Sequence, residues 1–330
     1  MEVLVVDAAG VARALPMAEC VEVMEEALAS LARGEAAMPL RQMAELPGGN
    51  LLASMPAMIP AGAAVKVITV FPGNAGTGIE SHQGAVLLFE PEHGSLVTIA
   101  DAGAVTAIRT AAVSAVATRA LARDDAGDLA ILGSGTQART HLEAMRAVRE
   151  VRRVRAWSRN ALRAMEFAAR ESERTGLSVE PAPSARDAVE GADIICTVTA
   201  ASEPILEGAW LSPGAHVNAV GYSGPIGREV DTEAVRRSRL YVDRRESALT
   251  EGGDVAIPVA EGAIGEDHIV GELGEVLAGT APGRTSPDDI TFFESLGLSV
   301  EDAAAVVRIH AVAAARGIGV RVPFARGPSD

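Results

Sequence analysis

The chain distributes its apolar positions in two rhythms. Residues 2–6 read as a short strand, and residues 16–33 repeat apolar positions at helical spacing, with Pro16 early and Gly34 as the stop. Apolar runs then follow at 51–55, 65–71, 85–89 and 96–99, divided by Pro, Gly and Asn turns. Such short runs predict an antiparallel or mixed sheet. An Ala-rich stretch over 105–123 predicts a long helix. Near Asp128 the rhythm changes. Strand-like runs at 129–132, 154–157, 178–181, 193–197, 216–220 and 240–242 alternate with helical stretches that end near 149 and 175. Alternation of this kind implies βαβ units and a parallel sheet. The last helix, 301–316, lies beyond that series and is assigned back to the first domain, which becomes discontinuous. Internal repeats and low-complexity linkers are absent from the sequence.

Composition narrows the picture. The 330 residues are 48% apolar and 22% charged, the balance of a globular protein of one large or two ordinary domains. Aromatics are 3%, so Ala, Val, Leu and Ile must carry the packing. A net charge of −15 argues against nucleic-acid or anionic-membrane partners, which need basic patches. Cys20 and Cys196 are the only cysteines and have neither disulfide-framework nor zinc-ligand spacing, so no metal and a reducing, cytoplasmic location are expected. The first residues lack a basic and apolar signal pattern. No run approaches about 18 uninterrupted apolar residues, so no membrane span is expected.

A nucleotide motif stands out in the second rhythm. Gly133, Ser134, Gly135, Thr136, Gln137 and Ala138 follow an apolar strand and open a helix. The first Gly permits the tight turn, the second lets backbone approach a pyrophosphate, and the small Ala138 allows close helix–strand packing. The helix start then offers N–H groups and a positive dipole end to phosphate. The next strand ends in Ser158, Arg159 and Asn160, without the acid that bonds a ribose 2′-hydroxyl in NAD sites. Ser158 and Arg159 favour NADP(H), with NAD(H) possible. The alternative is that Arg159 only covers helix surface or stacks on adenine.

The first domain is poor in cations. Up to residue 109 it holds Arg13, Arg33, Arg41, Lys66 and Arg109, and Lys66 is the only lysine of the chain. Arg13 and Arg33 belong to helical surfaces. Lys66 lies in the apolar strand Val65-Lys66-Val67-Ile68, where an unpaired charge would be very unfavourable. One reading is a structural ion pair. The other is an anion pocket in which Arg41, Lys66 and Arg109 hold a carboxylate and Lys66, its pKa lowered, handles protons near an imine nitrogen. His82, after a Gly-rich loop over 73–78, either lines that pocket or is a plain loop residue. His93, His141, His268 and His310 read as surface or packing residues. No Ser/His/Asp order or metal-ligand cluster stands out.

These residues together resemble the ornithine cyclodeaminase/mu-crystallin family. The resemblance is carried by Met55-Pro56-Ala57, Lys66, Ser81-His82-Gln83, Val86-Leu87-Leu88-Phe89-Glu90, Arg109-Thr110-Ala111-Ala112, the 133–138 loop, Asn218-Ala219-Val220-Gly221, Glu229-Val230-Asp231 and Ser295-Leu296-Gly297. It covers nearly the whole chain. It implies an α/β fold with a doubly wound Rossmann domain over 116–302. Residues 1–115 and 303–330 would form a discontinuous α+β domain for substrate binding and homodimerisation. It implies that Arg41, Lys66 and Arg109 hold a substrate carboxylate, and that Thr110, Thr197, Thr199, Val220, Gly221 and Leu296 lie near the cofactor.

The resemblance also has a departure. Cyclodeaminases of the family carry an Asp in a Gly-Ala-Asp-x-Pro pattern, whereas this chain reads Gly221-Tyr222-Ser223-Gly224-Pro225. Ser223 cannot supply that negative charge. Ornithine cyclodeamination is therefore disfavoured, and the chain is similar to the mu-crystallin, ketimine-reductase-like branch. Glu251 matches another pocket-facing position and either meets a substrate amine or is an ordinary helix-end carboxylate. The expected activity is NAD(P)H-dependent reduction of α-imino acids. The alternatives are an alanine-type amino-acid dehydrogenase and a non-catalytic mu-crystallin-like protein that holds a small acid.

Overall fold

A computed structural model describes residues 2–74 and 77–324, so Ala75 and Gly76 of the predicted Gly-rich loop lie outside the described residues. The chain divides into two compact units, Met1–Arg109 with Leu298–Asp330, and Thr110–Gly297. These limits fall a few residues before the boundaries read from the sequence. The first unit opens with β1 (Glu2–Val6), α1 (Ala8–Ala14) and α2 (Met17–Ala32). It continues with β2 (Gln42–Leu46), β3 (Asn50–Ile59), β4 (Gly62–Val70), β5 (His82–Phe89) and β6 (Leu96–Asp101), and α3 (Ala102–Leu121) carries the boundary. The second unit contains β7 (Asp128–Leu132), α4 (Thr136–Val148), β8 (Arg153–Trp157), α5 (Ala161–Thr175), β9 (Val179–Pro181), α6 (Ala185–Val189) and β10 (Ile194–Thr197). It goes on through β11 (His216–Ala219), α7 (Thr232–Arg236), β12 (Arg239–Val242), α8 (Arg245–Glu251) and α9 (Gly253–Ala260). It ends with β13 (Ile269–Glu272), α10 (Leu273–Leu277) and β14 (Thr291–Glu294). The chain then returns to the first unit with α11 (Ser299–Arg316) and β15 (Val320–Pro323).

The first unit is a mixed sheet in the order β15-β1-β6-β5-β4-β3-β2, parallel only between β1 and β6. Register aligns Val6, Ala100, Val86, Lys66 and Met55 in one cross-strand row and Val5, Ile99, Leu87, Val65 and Pro56 in the next. Neighbouring residues on a strand point to opposite faces. The row with Lys66 is buried, and α11 packs on β3, β4 and β5. The opposite row is exposed at Val5 and half-buried elsewhere.

The second unit is a parallel sheet in the order β13-β12-β14-β11-β10-β7-β8-β9. Its apolar strands are covered on both faces, with Leu132, Ile195, Val217 and Phe292 fully buried. Both faces must be covered because parallel strands are joined by crossovers that lay helices on the sheet. The strand order reverses between β7 and β10, and ligands of such sheets bind at that switch point, outside the carboxyl ends of the strands.

The strands and helices expected from sequence occur, but α1, β2, β13, β14, β15 and the short helices α6 to α10 were not placed from the sequence. Among the described residues one helix, α3, is long and apolar enough to cross a membrane, and 72% of that stretch is buried inside the protein. Sequence inspection had not flagged it, because Arg109 and several Thr and Ser residues interrupt its apolar run.

Candidate active site

The first unit builds a buried ion network around Lys66. On β4 the strand alternation turns Gly62, Ala64 and Lys66 to the covered face, and Lys66 is only 2% exposed. Its partner comes from the first turn of α11, where Glu301 and Asp302 are both buried. Acidic side chains suit a helix start, where they meet the positive end of the dipole. The Lys66 Nζ lies 2.8 Å from Asp302 Oδ2. Arg109, on α3, donates from Nε to Asp302 Oδ1 at 3.1 Å and from Nη1 to Glu301 Oε2 at 2.6 Å. Asp302 thus bonds both cations and fixes them side by side.

Two positive and two negative groups neutralise one another, which allows all four to stay in the interior. Burial first, and then the Arg109 charge, lower the pKa of Lys66, Asp302 and Glu301 oppose them, and the net value is about 8. The structural ion pair considered for Lys66 is therefore present. The network leaves donors over: a lysine carries three and an arginine five, more than these carboxylates take up.

Arg41 is half-buried and immediately precedes Gln42, which pairs with Ser54. It lies just before the edge strand β2, which pairs with β3, the strand next to the one that carries Lys66. The structure therefore groups Arg41, Lys66 and Arg109 in one unit. His82 lies at the start of β5, four residues before Val86, the other neighbour of Lys66. It is exposed at this edge, and its pKa is held below the usual value by partial burial and then by the Lys66 charge. Cys20 sits under the same network and is buried, which pushes its thiol up and makes it inert.

The second unit holds the dinucleotide motif. Gly133 adopts φ +142°, a conformation that strains any L side chain, and a Cβ there would meet the Val198 carbonyl at 2.8 Å. At Gly135 a Cβ would meet nothing within 4 Å, so open space lies over the start of α4. Ala138 is fully buried against the sheet side. Thr136 and Gln137 belong to the first turn of α4, whose free N–H groups can receive phosphate. The geometry fits a pyrophosphate.

His141 anchors that helix. Burial lowers its pKa to about 4, so the ring is neutral. Its Nδ1–H donates to the Gln137 carbonyl at 2.8 Å, and Nε2 accepts from Ser114 Oγ at 2.9 Å. This Ser–His pair is a fastening in the interior, in line with the packing role expected for His141.

Ser134 and Ser158 hydroxyls are 3.2 Å apart, joining the glycine loop to the end of β8. Arg159 is exposed and makes no ion pair among the described residues. Asn160 caps α5, its Oδ1 accepting from the Leu162 and Arg163 amides at 3.0 and 3.3 Å. Thr110, Thr197 and Leu296 are buried, and Val220 and Gly221 are half-buried at the end of β11. Ser223 and Glu251 immediately precede Gly224 and Gly252, which form a parallel bridge. They are brought side by side, with Ser223 exposed and Glu251 half-buried.

Sequence reasoning missed the acids that hold these loops. Glu229 Oε1 accepts from the Thr199 amide at 2.7 Å and from its hydroxyl at 2.5 Å, while Oε2 accepts from the Gly221 amide at 2.8 Å. Asp254 Oδ1 accepts from the Glu229 and Val230 amides at 2.8 and 2.9 Å. Asp243 Oδ2 accepts from the Leu296 and Gly297 amides at 2.7 and 2.8 Å. Glu301 and Asp302 were likewise read only as a helix start. The need of Lys66 for an anion was the signal that could have singled them out.

Comparison with known proteins places this geometry in context. Residues 1–316 match the model of the ornithine cyclodeaminase/mu-crystallin family. The chain is 41% identical over 293 residues to the ketimine reductase mu-crystallin of Mus musculus, covering 87% of this chain and 90% of that protein. It is similar to a Thermococcus litoralis Delta(1)-pyrroline-2-carboxylate reductase solved with NADH and L-proline, at 37% identity and a TM-score of 0.94, covering 97% of this chain and 100% of that one. It is also similar to an archaeal alanine dehydrogenase dimer with bound NAD, at 31% identity and a TM-score of 0.93, covering 98% of this chain and 100% of that one.

Replacing Asp302 with Ala would strip Lys66 of its partner and leave Arg109 with Glu301 alone. Urea unfolding of Asp302→Ala at neutral pH should show a loss of about 3–5 kcal/mol. Stability equal to wild type would refute the central place of Asp302.

Proposed function

The chain belongs to the ornithine cyclodeaminase/mu-crystallin family, and from that premise we propose that it reduces the C=N bond of small α-imino acids with a nicotinamide dinucleotide. The products are cyclic or N-substituted L-amino acids. The observation that carries this reading is Lys66, the only lysine, buried with a pKa of about 8 and held beside Arg109 by one shared carboxylate.

The residues divide the work. Arg41 and Arg109 hold the substrate carboxylate by charge-assisted hydrogen bonds. Lys66 gives the imine nitrogen its proton, which makes the neighbouring carbon a better electrophile. A bound reduced nicotinamide supplies the hydride to that carbon. The electron pair of the C=N bond ends on nitrogen, so hydride and proton together give the amine. Ser223 offers no carboxylate for the amine chemistry of a cyclodeaminase. The second reading is oxidative deamination in the manner of an alanine dehydrogenase, supported by the likeness to the archaeal enzyme.

Three finer features belong to the same proposal. NADP(H) is preferred over NAD(H), because Ser158 and the unpaired Arg159 stand at the end of β8 where an NAD site usually has an acid. The protein is a homodimer, a second copy covering the sheet face of Val5, Ile99, Leu87, Val65 and Pro56, where Leu52 and Met58 are 39% and 62% exposed. It resides in the cytoplasm, in keeping with two buried, free cysteines.

Reduced cofactor should be consumed rapidly with a five- or six-membered cyclic imino acid. Turnover only with pyruvate and ammonia would move the assignment to a dehydrogenase, and silence in both would refute the reductase. Lys66 holds its proton below its pKa and loses it above. The value of kcat/KM with the imine should therefore fall as pH rises through about 8. Lys66→Met should lower kcat about 100- to 10,000-fold and flatten that limb; unchanged turnover would remove Lys66 from the chemistry. Arg159→Ala should raise the KM for NADPH about tenfold and leave that for NADH nearly unchanged; equal effects on both would refute the preference. Light scattering should give twice the chain mass of 33.9 kDa, and a monomer would overturn the dimer.

A further inference from the structure

The buried carboxyls of the second unit do more than the mechanism above asks of them. Glu229, Asp254 and Glu294 are each no more than 1% exposed. Glu229 and Asp254 are held by backbone donors, as described. Glu294, at the end of β14, has neither oxygen in a hydrogen bond. None of the three forms a salt bridge among the described residues. Arg228, whose charge reaches Asp254, is itself paired with Glu261 at 3.3 Å. Burial pushes Glu229 and Asp254 up to about 7 each. It drives Glu294 well above the usual carboxylate range, and the charges of Asp254, Asp243 and Glu229 add to the effect. Above neutral pH Glu229 and Asp254 therefore hold negative charge in the interior without a salt bridge among the described residues. Such a charge is unfavourable unless something positive completes it.

The position of the set says what that is. The glycine loop follows β7, and Ser158 and Arg159 put the adenosine end on the β8 side. The other end of a dinucleotide must then extend over the ends of β10, β11 and β14. Thr199 follows β10 and Gly221 follows β11, and Glu229 straps these two together. The approach is close: a Cβ on Gly221 would lie 2.5 Å from Glu229 Oε2, and one on Gly252 would lie 3.0 Å from Glu294 Oε1. Glu229 and Glu294 press directly on the backbone of Gly221 and Gly252, and Asp254 holds Glu229 from behind through its amide.

We propose that Glu229 and Asp254 set the redox poise of the bound nicotinamide, their buried negative charge favouring the positively charged oxidised ring over the neutral reduced ring. Loss of hydride turns a neutral ring into a cation, so the same charge favours the direction of imine reduction. The inference rests on the reading that the second unit takes a nicotinamide dinucleotide.

The test is equilibrium binding. Dissociation constants of NADP+ and NADPH, and of NAD+ and NADH, are measured by calorimetry on the full chain at pH of about 8.5, where Glu229 and Asp254 are ionised. Asp254→Asn keeps the oxygen that accepts both amides and removes the charge. Its ratio of oxidised to reduced Kd should rise about three- to thirtyfold over wild type. A merely structural role would weaken both forms alike, and an unchanged ratio would overturn the proposal. Glu229→Gln, which keeps the Thr199 arm of the strap, provides the same comparison if the Asn variant does not fold. Failure of the wild-type protein to bind either dinucleotide would overturn the cofactor reading instead.

Discussion

Lys66, Arg109, Glu301 and Asp302 share a space from which water is excluded, and the first unit is organised around their mutual neutrality. Each charge alone would be intolerable there. Together they tie a central strand, the helix that leads out of the unit and the helix that returns to it. The discontinuity of the unit follows from the same constraint, since the anions come from residues about two hundred positions after their partners. A site that must present positive groups to an acid gains from this arrangement. The cations are held in place by bonds formed before any ligand arrives.

The second unit solves a related problem with the opposite sign. The turns after its strands expose backbone N–H groups that a parallel sheet cannot satisfy at the strand ends. Buried carboxyls accept them: Glu229 at Thr199 and Gly221, Asp254 at Glu229 and Val230, Asp243 at Leu296 and Gly297. A single carboxylate oxygen can accept two amides, so few side chains hold many loop residues. The result is a set of turns fixed by charge rather than by apolar packing.

Much of this was legible in the sequence where local physics decides. The glycine loop, the helix after it and the alternating strands of the second unit follow from turn geometry and periodicity. Lys66 was conspicuous because it is alone. What was not legible depended on distant partners. Nothing near Glu301 or Asp302 shows that their charges are spent inside. The strand Thr291–Glu294 ends in an acid that is fully buried, which a periodicity reading takes as a surface residue. The edge strand Gln42–Leu46 is exposed along nearly its whole length and shows no buried alternation. Arg41 was grouped with Lys66 and Arg109 because cations are scarce in the first domain, and its place just before the edge strand β2 emerges only from the fold.

The solitary lysine has a consequence for chemical durability. Keto acids and aldehydes condense with exposed ε-amines, and they are the hydrolysis products with which imino acids equilibrate. This chain has one ε-amine, and it is shut in the interior against Asp302. Its surface cations are guanidiniums, which form no Schiff bases under mild conditions. A protein bathed in such carbonyl compounds would thus present them with almost no surface amine to modify.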